Sequence, residues 1–502
     1  VVPDRFAPVL RELAPLTERF RAAGHRLYLV GGTVRDLLVD SGRSDFDLDL
    51  TTDARPAEIK ACLEGWADAI WNQGEKFGTI GAHKFNPETG ETRPYEITTF
   101  RAEAYTDDSR KPHVVFADDI EVDLSRRDFT VNAMALELTG GEPAPEGDGD
   151  GEGDGELAMP TLVDPFDGAI DLATKTLRTP MGPEVSFSDD PLRMLRAARF
   201  IARYQLQPSD ELVAAVTAMA ERLEIVSAER IRDELDKLIV VDSPSPGLWF
   251  LIETGLADQF LPELPKMRLE HDPIHRHKDV LTHSLAVVEN VRPIEEHPNI
   301  VAGKREPFDF RITRLAALFH DVGKPRTRGY LEGKGTTFHH HDAVGARMTK
   351  KRMTALRYSK DDIAAVTELV ALHLRFHTYS MGWSDSAVRR YVRDAGPLLQ
   401  ELNVLTRCDC TTRNAKKAAR LSRRMDELEA RIDELAEAEE LASLRPEMDG
   451  NSVIEHLGIA PGRVVGEAMK FLMEIRLEDG LIGDVAIRER LDQWWADQQT
   501  KS

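Results

Sequence analysis

The 502-residue chain is predicted to be an α+β protein, with a mixed-sheet head at the N-terminus followed by an all-α remainder. Three observations carry this. Residues 25–140 alternate short apolar runs with helical patterns. Residues 141–157 interrupt the chain with a Gly-Asp-Glu-Pro string. From Pro191 onward the apolar spacing is that of helices with few interruptions. The length exceeds what one hydrophobic core accommodates, so several domains are expected. They are a head over 1–180, a helical neck over 181–245, a His-rich helical body over 246–412 and a helical tail over 413–502.

In the head, strands are expected from Arg26 to Val30, Asp47 to Thr51, Thr79 to Phe85, Tyr95 to Phe100 and Val131 to Leu138. The first runs into Gly31-Gly32 and a helix start. The second carries Asp47 and Asp49, and side chains two apart on a strand share a face. Both carboxylates therefore point into one site while Phe46, Leu48 and Leu50 point into the sheet. The 141–157 string holds seven acidic side chains and no basic one, cannot form a core, and is expected to be a disordered surface insertion. Asp164-Pro165-Phe166-Asp167-Gly168 reads as a turn. Residues 190–245 form a compact helical group and 246–265 a Pro-punctuated passage into the histidines at 271–377. A third helical region begins near Thr411, and its first helix ends at Pro446.

No apolar run approaches the ~20 residues of a membrane span, and the N-terminus lacks the basic and apolar regions of a signal peptide. Cys62, Cys408 and Cys410 suit neither a disulfide framework nor a zinc knuckle. A cytoplasmic protein is expected, with no membrane partner. The formal charge of −22 argues against a nucleic-acid partner only in total. The helix after Thr411 opens with Arg413, Lys416, Lys417, Arg420, Arg423 and Arg424, a run that suits a solvated face and RNA contact equally well.

An isolated Asp-x-Asp is common on surface strands. Here it follows Gly31-Gly32, whose backbone N–H groups at a helix start are open to phosphate, and Arg35 one turn on adds a side-chain donor. Val30-Gly31-Gly32-Thr33-Val34-Arg35-Asp36 with Asp47-x-Asp49 resembles the signature of the tRNA nucleotidyltransferase and bacterial poly(A) polymerase family, the class II branch of the polymerase β superfamily. Four further stretches resemble that family's motifs in its order. Leu124 to Ala133, with Arg127, Asp128 and Asn132, resembles the ribose motif. Asp164 to Gly168 with Asp171, Leu172 and Arg178 resembles the hinge. Asp189 to Phe200 resembles the base-templating helix, and Ser227 to Ile231 with Glu234 and Leu235 its support. Together they cover about residues 25–240.

The resemblance implies that Asp47 and Asp49 bind Mg²⁺, one ion activating an RNA 3′-hydroxyl and the other gripping a triphosphate. A third carboxylate is usual in such sites, and Glu96 is the candidate. Asp190 and Arg193, at i and i+3 on one helix face, offer an acceptor and donors to the Watson–Crick edge of C or A. An ordinary intrahelical ion pair is the plainer alternative. Arg193, Arg196 and Arg199 repeat every three residues and repel unless an anion lies among them, which a triphosphate supplies. Gly31, Gly32, Arg35 and Arg127 complete the expected nucleotide contacts.

In the body, His283 sits on an amphipathic segment, His320-Asp321 ends an apolar helix, His339-His340-His341 leads into another, and Asp409 follows Cys408. An adjacent His-Asp among so many histidines favours a borderline metal. The order His283, His320-Asp321, Asp409 resembles the HD phosphohydrolase superfamily, and His341 and His373 match its longer variant. A functional metal site is expected, holding Mg²⁺ or a divalent transition metal.

The leading expectation is template-independent addition of C, C and A to tRNA from CTP and ATP, with neck and tail binding the acceptor arm and 3′ end through a positive patch. A CC- or A-adding specialist differs in the loop around 101–115, where Arg101, Arg110 and Lys111 suggest a mobile charged segment. A poly(A) polymerase would show an Arg-rich segment where Gly74 to Ile80 stands. An alternative of another class is an HD phosphohydrolase with a nucleotide-sensing head.

Overall fold

The computed structural model describes residues 4–39, 48–87, 90–104, 113–140, 160–269, 279–332, 335–378, 384–411, 414–439 and 445–499. Asp47, Arg110, Lys111, Arg413 and the whole 141–157 string lie outside them. The chain divides into two units, 1–234 with 246–259, and 235–245 with 260–502.

The first unit is built on a seven-stranded mixed sheet. Its strands are β1 (Leu27–Val30), β2 (Leu48–Thr52), β3 (Ala69–Trp71), β4 (Thr79–Asn86) and β5 (Glu91–Thr99), a separate hairpin β6 (Arg101–Ala104) and β7 (His113–Phe116), then β8 (Ala135–Glu137) and β9 (Thr161–Val163). The order across the sheet is β3-β4-β5-β2-β1-β8-β9. Only β2 and β5 run parallel, with Leu48 opposite Tyr95 and Asp49 opposite Glu96. The first four expected strands are present in their described residues, whereas the fifth, Val131 to Leu138, is a strand only over Ala135–Glu137, because Thr130–Asn132 winds into a short 3-10 turn whose Asn132 and Ala133 N–H groups donate to the Phe129 and Thr130 carbonyls. β3, β6, β7 and β9 were not expected, because three or four residues carry too little periodicity to read.

One sheet face is apolar. Leu29, Leu48, Leu50, Ile80, Ala82, Tyr95 and Ile97 are buried on it, against α1 (Ala7–Ala22) and α2 (Pro56–Leu63), whose Leu13, Leu16, Phe20, Ile59 and Leu63 are equally buried. The Tyr95 hydroxyl donates to Glu12 Oε1 at 2.6 Å, and Trp66 meets the Tyr95 ring edge-on at 5.1 Å. The other face is split. Over β1 and β8 it is covered by Phe100, Ala117, Ile120 and Leu124, packed on Tyr28, Val30 and Ala135. Over β2, β5 and β4 it carries polar and exposed side chains, among them Asp49, Glu96 and His83.

The helix α3 (Leu192–Tyr204) packs its Met194, Leu195, Ala198 and Ile201 into the unit and turns Arg196 and Arg199 toward carboxylates. Arg196 Nε and Nη2 donate to Asp128 Oδ2 at 2.8 and 2.6 Å, and Arg199 Nε donates to Glu234 Oε2 at 2.8 Å. The expectation that a triphosphate must relieve their repulsion is therefore corrected, since protein carboxylates from the head loop and the helix Ala228–Ile239 already do so. Asp128 is buried and also accepts from Asn132 Nδ2 and the Phe129 N–H, each at 2.9 Å. Burial pushes its carboxyl upward, but Arg196 and these donors outweigh burial and hold it below the usual range.

In the second unit, helices Val280–Asn290, Phe310–Phe319, His341–Ala355, Lys360–Leu372 and Leu399–Cys408 surround a core of Leu285, Leu315, Leu318, Val366, Leu369 and Leu405. A hairpin, Arg328–Leu331 with Gly335–Phe338, joins two of them. Arg314 is fully buried, donating to the carbonyls of Val291 at 2.9 Å and Ile239 at 2.8 Å, and burial pushes its guanidinium down to about 10. The last helices, Gly450–Leu457, Arg463–Asp479 and Asp484–Gln499, enclose a small core of Val453, Ala468, Leu472, Ile487 and Leu491. Among the described residues no helix is long and apolar enough to cross a membrane.

Asp128→Asn leaves Arg196, 37 % exposed, without its counter-charge. It is expected to cost about 2 kcal/mol in denaturant titrations, between the values for exposed and fully buried pairs. Because the folded-state carboxyl is held low, its stabilisation is present above the unfolded value of about 4 and is lost as pH falls through the folded value. The variant should lose less stability between neutral pH and pH 3 than the wild type, as followed by thermal melts.

Candidate functional site

In the head, β1 ends at Gly31, whose φ of 73° lies in the left-handed region and opens the helix Gly32–Leu38. A Cβ at Gly31 would stand 3.1 Å from Arg127 Nη1 and 3.9 Å from Asp49 Oδ2. The glycine turn, the β2 carboxylate and the Arg127 guanidinium thus converge on one spot. Glu96 is the register partner of Asp49 on the parallel strand β5, so the two exposed carboxylates stand side by side about 5 Å apart at the backbone. Adjacent hard oxygen donors on an open face suit a small divalent cation. The buried carboxylate of Asp123 lies under Arg126 and Arg127, with Arg126 Nη2 at 2.9 Å and Arg127 Nη2 at 3.4 Å, and this fixes how Arg127 is presented.

Arg35 is placed differently from its expected role. It is 6 % exposed, with Nε donating to Asp36 Oδ1 at 2.9 Å and Nη1 bound to Asn132 Oδ1. Its guanidinium stacks on Tyr204 at 4.2 Å and Phe200 at 5.3 Å. It ties the glycine-turn helix to α3. Gly32 lies beside it, with a Cβ position 3.5 Å from Arg35 Nη2.

Asp190 and Arg193 share a helix start without pairing to each other through the bonds that hold them. Asp190 Oδ1 accepts from the Leu192 N–H at 3.1 Å and Oδ2 from Arg230 Nη2 at 2.8 Å. Arg193 donates through Nη1 to Ser186 Oγ at 2.9 Å and through Nη2 to the Arg126 carbonyl at 2.6 Å. Each is oriented from outside the pair. Asp123 and Ser186 were not singled out in the sequence although their partners lie within seven residues, and Arg230 was read only as part of the supporting stretch Ser227 to Ile231, its partner Asp190 lying 40 positions away.

In the second unit, six side chains form two clusters. His283, His320 and Asp409 make one, and Asp321, His341 and His373 the other, each with donor atoms within 4.8 Å of one another. His283 Nε2 lies 2.9 Å from Asp409 Oδ1 and 3.3 Å from His320 Nε2. His341 Nε2 and His373 Nε2 are 3.2 Å apart. Asp321 bridges the clusters, with Oδ2 at 3.2 Å from His320 Nε2 and Oδ1 at 3.4 Å from His341 Nε2. The Nδ1–H of His320, His341 and His373 donates to the carbonyls of Ala317, Phe338 and Val370 at 2.7, 2.8 and 2.7 Å. That fixes the tautomer and leaves the Nε2 lone pairs facing one another, an arrangement that a cation relieves.

Burial alone would raise Asp321 and Asp409, yet both carboxyls are held well below the usual range, Asp321 by His320 and Lys324 and Asp409 by His283 and His377. Burial with repulsion from His320 pushes His373 down to about 4, which keeps it a neutral ligand. All four expected HD residues are together, with His341 and His373. Lys324, 2.7 Å from Asp321 Oδ2, and His377, 3.8 Å from Asp409 Oδ2, were missed; Lys324 follows the His-Asp by one helical turn, a spacing that could have flagged it.

Three family descriptions match the chain, the poly A polymerase head domain over residues 27–178, the probable RNA and SrmB-binding site of polymerase A over 205–267, and the HD domain over 280–438. The A-adding tRNA nucleotidyltransferase of Deinococcus radiodurans is 31 % identical over 477 residues, 94 % of this chain and 95 % of that protein. The CCA-adding enzyme of Lactobacillus johnsonii is 34 % identical over 259 residues, 51 % of this chain and 56 % of that protein. The crystal structure of the Bacillus stearothermophilus CCA-adding enzyme in complex with CTP superposes with a TM-score of 0.64 at 20 % identity, covering all of both chains, a likeness of fold. With a glycine turn and paired carboxylates on the head sheet and a relative matching end to end, the chain belongs to the tRNA nucleotidyltransferase family.

Proposed function

We propose that the chain extends the 3′ end of tRNA without a nucleic-acid template, adding C, C and A from CTP and ATP, in the cytoplasm. The observation that carries the reading is the convergence of Gly31, Arg127, Asp49 and Glu96 on one open sheet face in a nucleotidyltransferase. Asp47 and Asp49 hold Mg²⁺ and Glu96 is the third carboxylate. The bound ions lower the pKa of the RNA 3′-hydroxyl and neutralise the triphosphate. The 3′-oxygen forms its bond to the α-phosphorus as the bond to the bridging oxygen breaks, and pyrophosphate leaves. Arg127 and the Gly31-Gly32 backbone grip the phosphates. Asp190 and Arg193, each already oriented by Arg230 and Ser186, present fixed groups to the base. Arg35, Arg196 and Arg199 position this machinery through Asp36, Asp128 and Glu234. Exposed Lys416, Lys417, Arg420 and Arg423 on the helix Ala415–Glu439 supply backbone contacts to the acceptor arm.

A second reading, addition of A alone, is favoured by the end-to-end similarity to the A-adding enzyme of Deinococcus radiodurans. The two HD clusters support a phosphohydrolase centre, in which His283, His320 and Asp409, and Asp321, His341 and His373, would hold divalent metal, either Mg²⁺ or a transition metal.

Incubation with labelled CTP or ATP, Mg²⁺ and tRNA lacking its last one or its last three nucleotides separates the readings. Incorporation of both nucleotides into the tRNA lacking three supports CCA addition. ATP incorporation confined to tRNA ending in CC identifies the A-adding specialist, and no incorporation at all returns the head to a sensing role. Asp49→Ala is expected to lower kcat at least about a hundredfold. Full activity there would displace the site. His320→Ala should abolish hydrolysis of phosphate esters and reduce bound divalent metal in elemental analysis while nucleotide incorporation persists. Unchanged hydrolysis would reject the HD centre.

A further inference from the structure

The open face of the head sheet does not end at the carboxylates. In register across the strands, Asp49 on β2 stands beside Glu96 on β5, Glu96 beside Gly81 on β4, and Gly81 beside Trp71 on β3. A Cβ at Gly81 would fall 1.9 Å from Trp71 Cε2 and 2.2 Å from its Nε1, so the indole lies across the glycine, over the sheet, next in line after Glu96. His83, the next residue of β4 on that face, meets the indole with ring centroids 4.5 Å apart, and Phe85, 47 % exposed, follows it. Strands are about 5 Å apart, which puts the indole roughly one strand from Glu96 and two from Asp49. Trp71, His83 and Phe85 thus line an aromatic track leading away from the carboxylates, on a face where His83, Phe85, Glu96 and Asp49 are exposed among the described residues.

The side on which this track lies has a chemical meaning. Gly31 and Arg127 flank Asp49 from β1, and the track flanks the carboxylates from the opposite side. In-line displacement needs the attacking oxygen and the departing pyrophosphate on opposite sides of the phosphorus. With the triphosphate held on the β1 side, the attacking strand approaches from the β4 side. We propose that the indole of Trp71, backed by His83 over Gly81, is the stacking platform for the 3′-terminal base of the accepting RNA, and that Trp71 positions the 3′-hydroxyl at the carboxylates. Stacking on an aromatic face tolerates any base, which suits a strand whose last nucleotide changes after each addition. The proposal rests on the nucleotidyl-transfer reading of the head.

The test is steady-state kinetics of the full chain with Mg²⁺ and an acceptor RNA, together with an RNA carrying 2-aminopurine as its 3′-terminal base. Trp71→Ala is expected to raise KM for the RNA about tenfold while KM for the nucleotide stays unchanged, and Trp71→Phe is expected to restore most of the affinity. The 2-aminopurine emission should fall when the RNA binds wild type in Ca²⁺ without nucleotide, and should fall much less with Trp71→Ala. An unchanged RNA KM, a rise confined to the nucleotide KM, or no quenching by wild type would overturn the proposal. Wild type that incorporates no nucleotide would overturn the underlying reaction as well, which separates the two failures.

Discussion

The parallel pairing of β2 with β5 is the constraint on which the head depends. It sets Asp49 against Glu96 and, by the two-residue alternation of strands, sends Leu48, Leu50, Tyr95 and Ile97 to the other face, into the core under α1 and α2. A slip by one residue would bury both carboxylates and expose the apolar set, so core burial and placement of the chemistry are a single requirement. The same pairing leaves β4 and β3 to extend the face outward, which is where Trp71 lies over Gly81.

Around that face the positive charges are almost all tied down by protein carboxylates. Asp36 holds Arg35, Asp123 holds Arg126 and Arg127, Asp128 holds Arg196 and Glu234 holds Arg199. A guanidinium fixed in this way has already given up its rotamer freedom, so its remaining N–H groups meet a ligand without further ordering cost. This also accounts for how a chain of formal charge −22 handles polyanions, since many of its acids serve to hold arginines in place.

The HD centre follows a different principle. His320, His341 and His373 are fixed through Nδ1 by backbone carbonyls and His283 through Nδ1 by the Thr411 hydroxyl, and the carboxylates are kept ionised in a buried setting by the imidazoles and Lys324. Each helix contributes one or two ligands near a terminus, where the chain can still turn a side chain inward. The result is two clusters linked by the contact of Asp321 with His320, built from residues spread over 127 positions from 283 to 409.

The sequence by itself determined the mixed-sheet head, the helical remainder, and most of the chemistry-bearing residues. Glycine turns, alternating acids and His-Asp pairs are local patterns whose physical meaning survives without a partner. It could also be read as family membership, through motifs in order, and the end-to-end relative bears that out. What only the tertiary structure decided was which groups meet. It took Arg35 out of solvent and onto Tyr204, assigned Arg196 to Asp128 and Arg199 to Glu234, held Asp190 and Arg193 separately through Arg230 and Ser186, and brought Trp71 across Gly81. These pairings join residues from 7 to 169 positions apart: Arg35 and Tyr204 are the farthest, Ser186 and Arg193 the nearest. Side-chain spacing along one element says which groups share a face; only the packing of elements against each other says what that face touches.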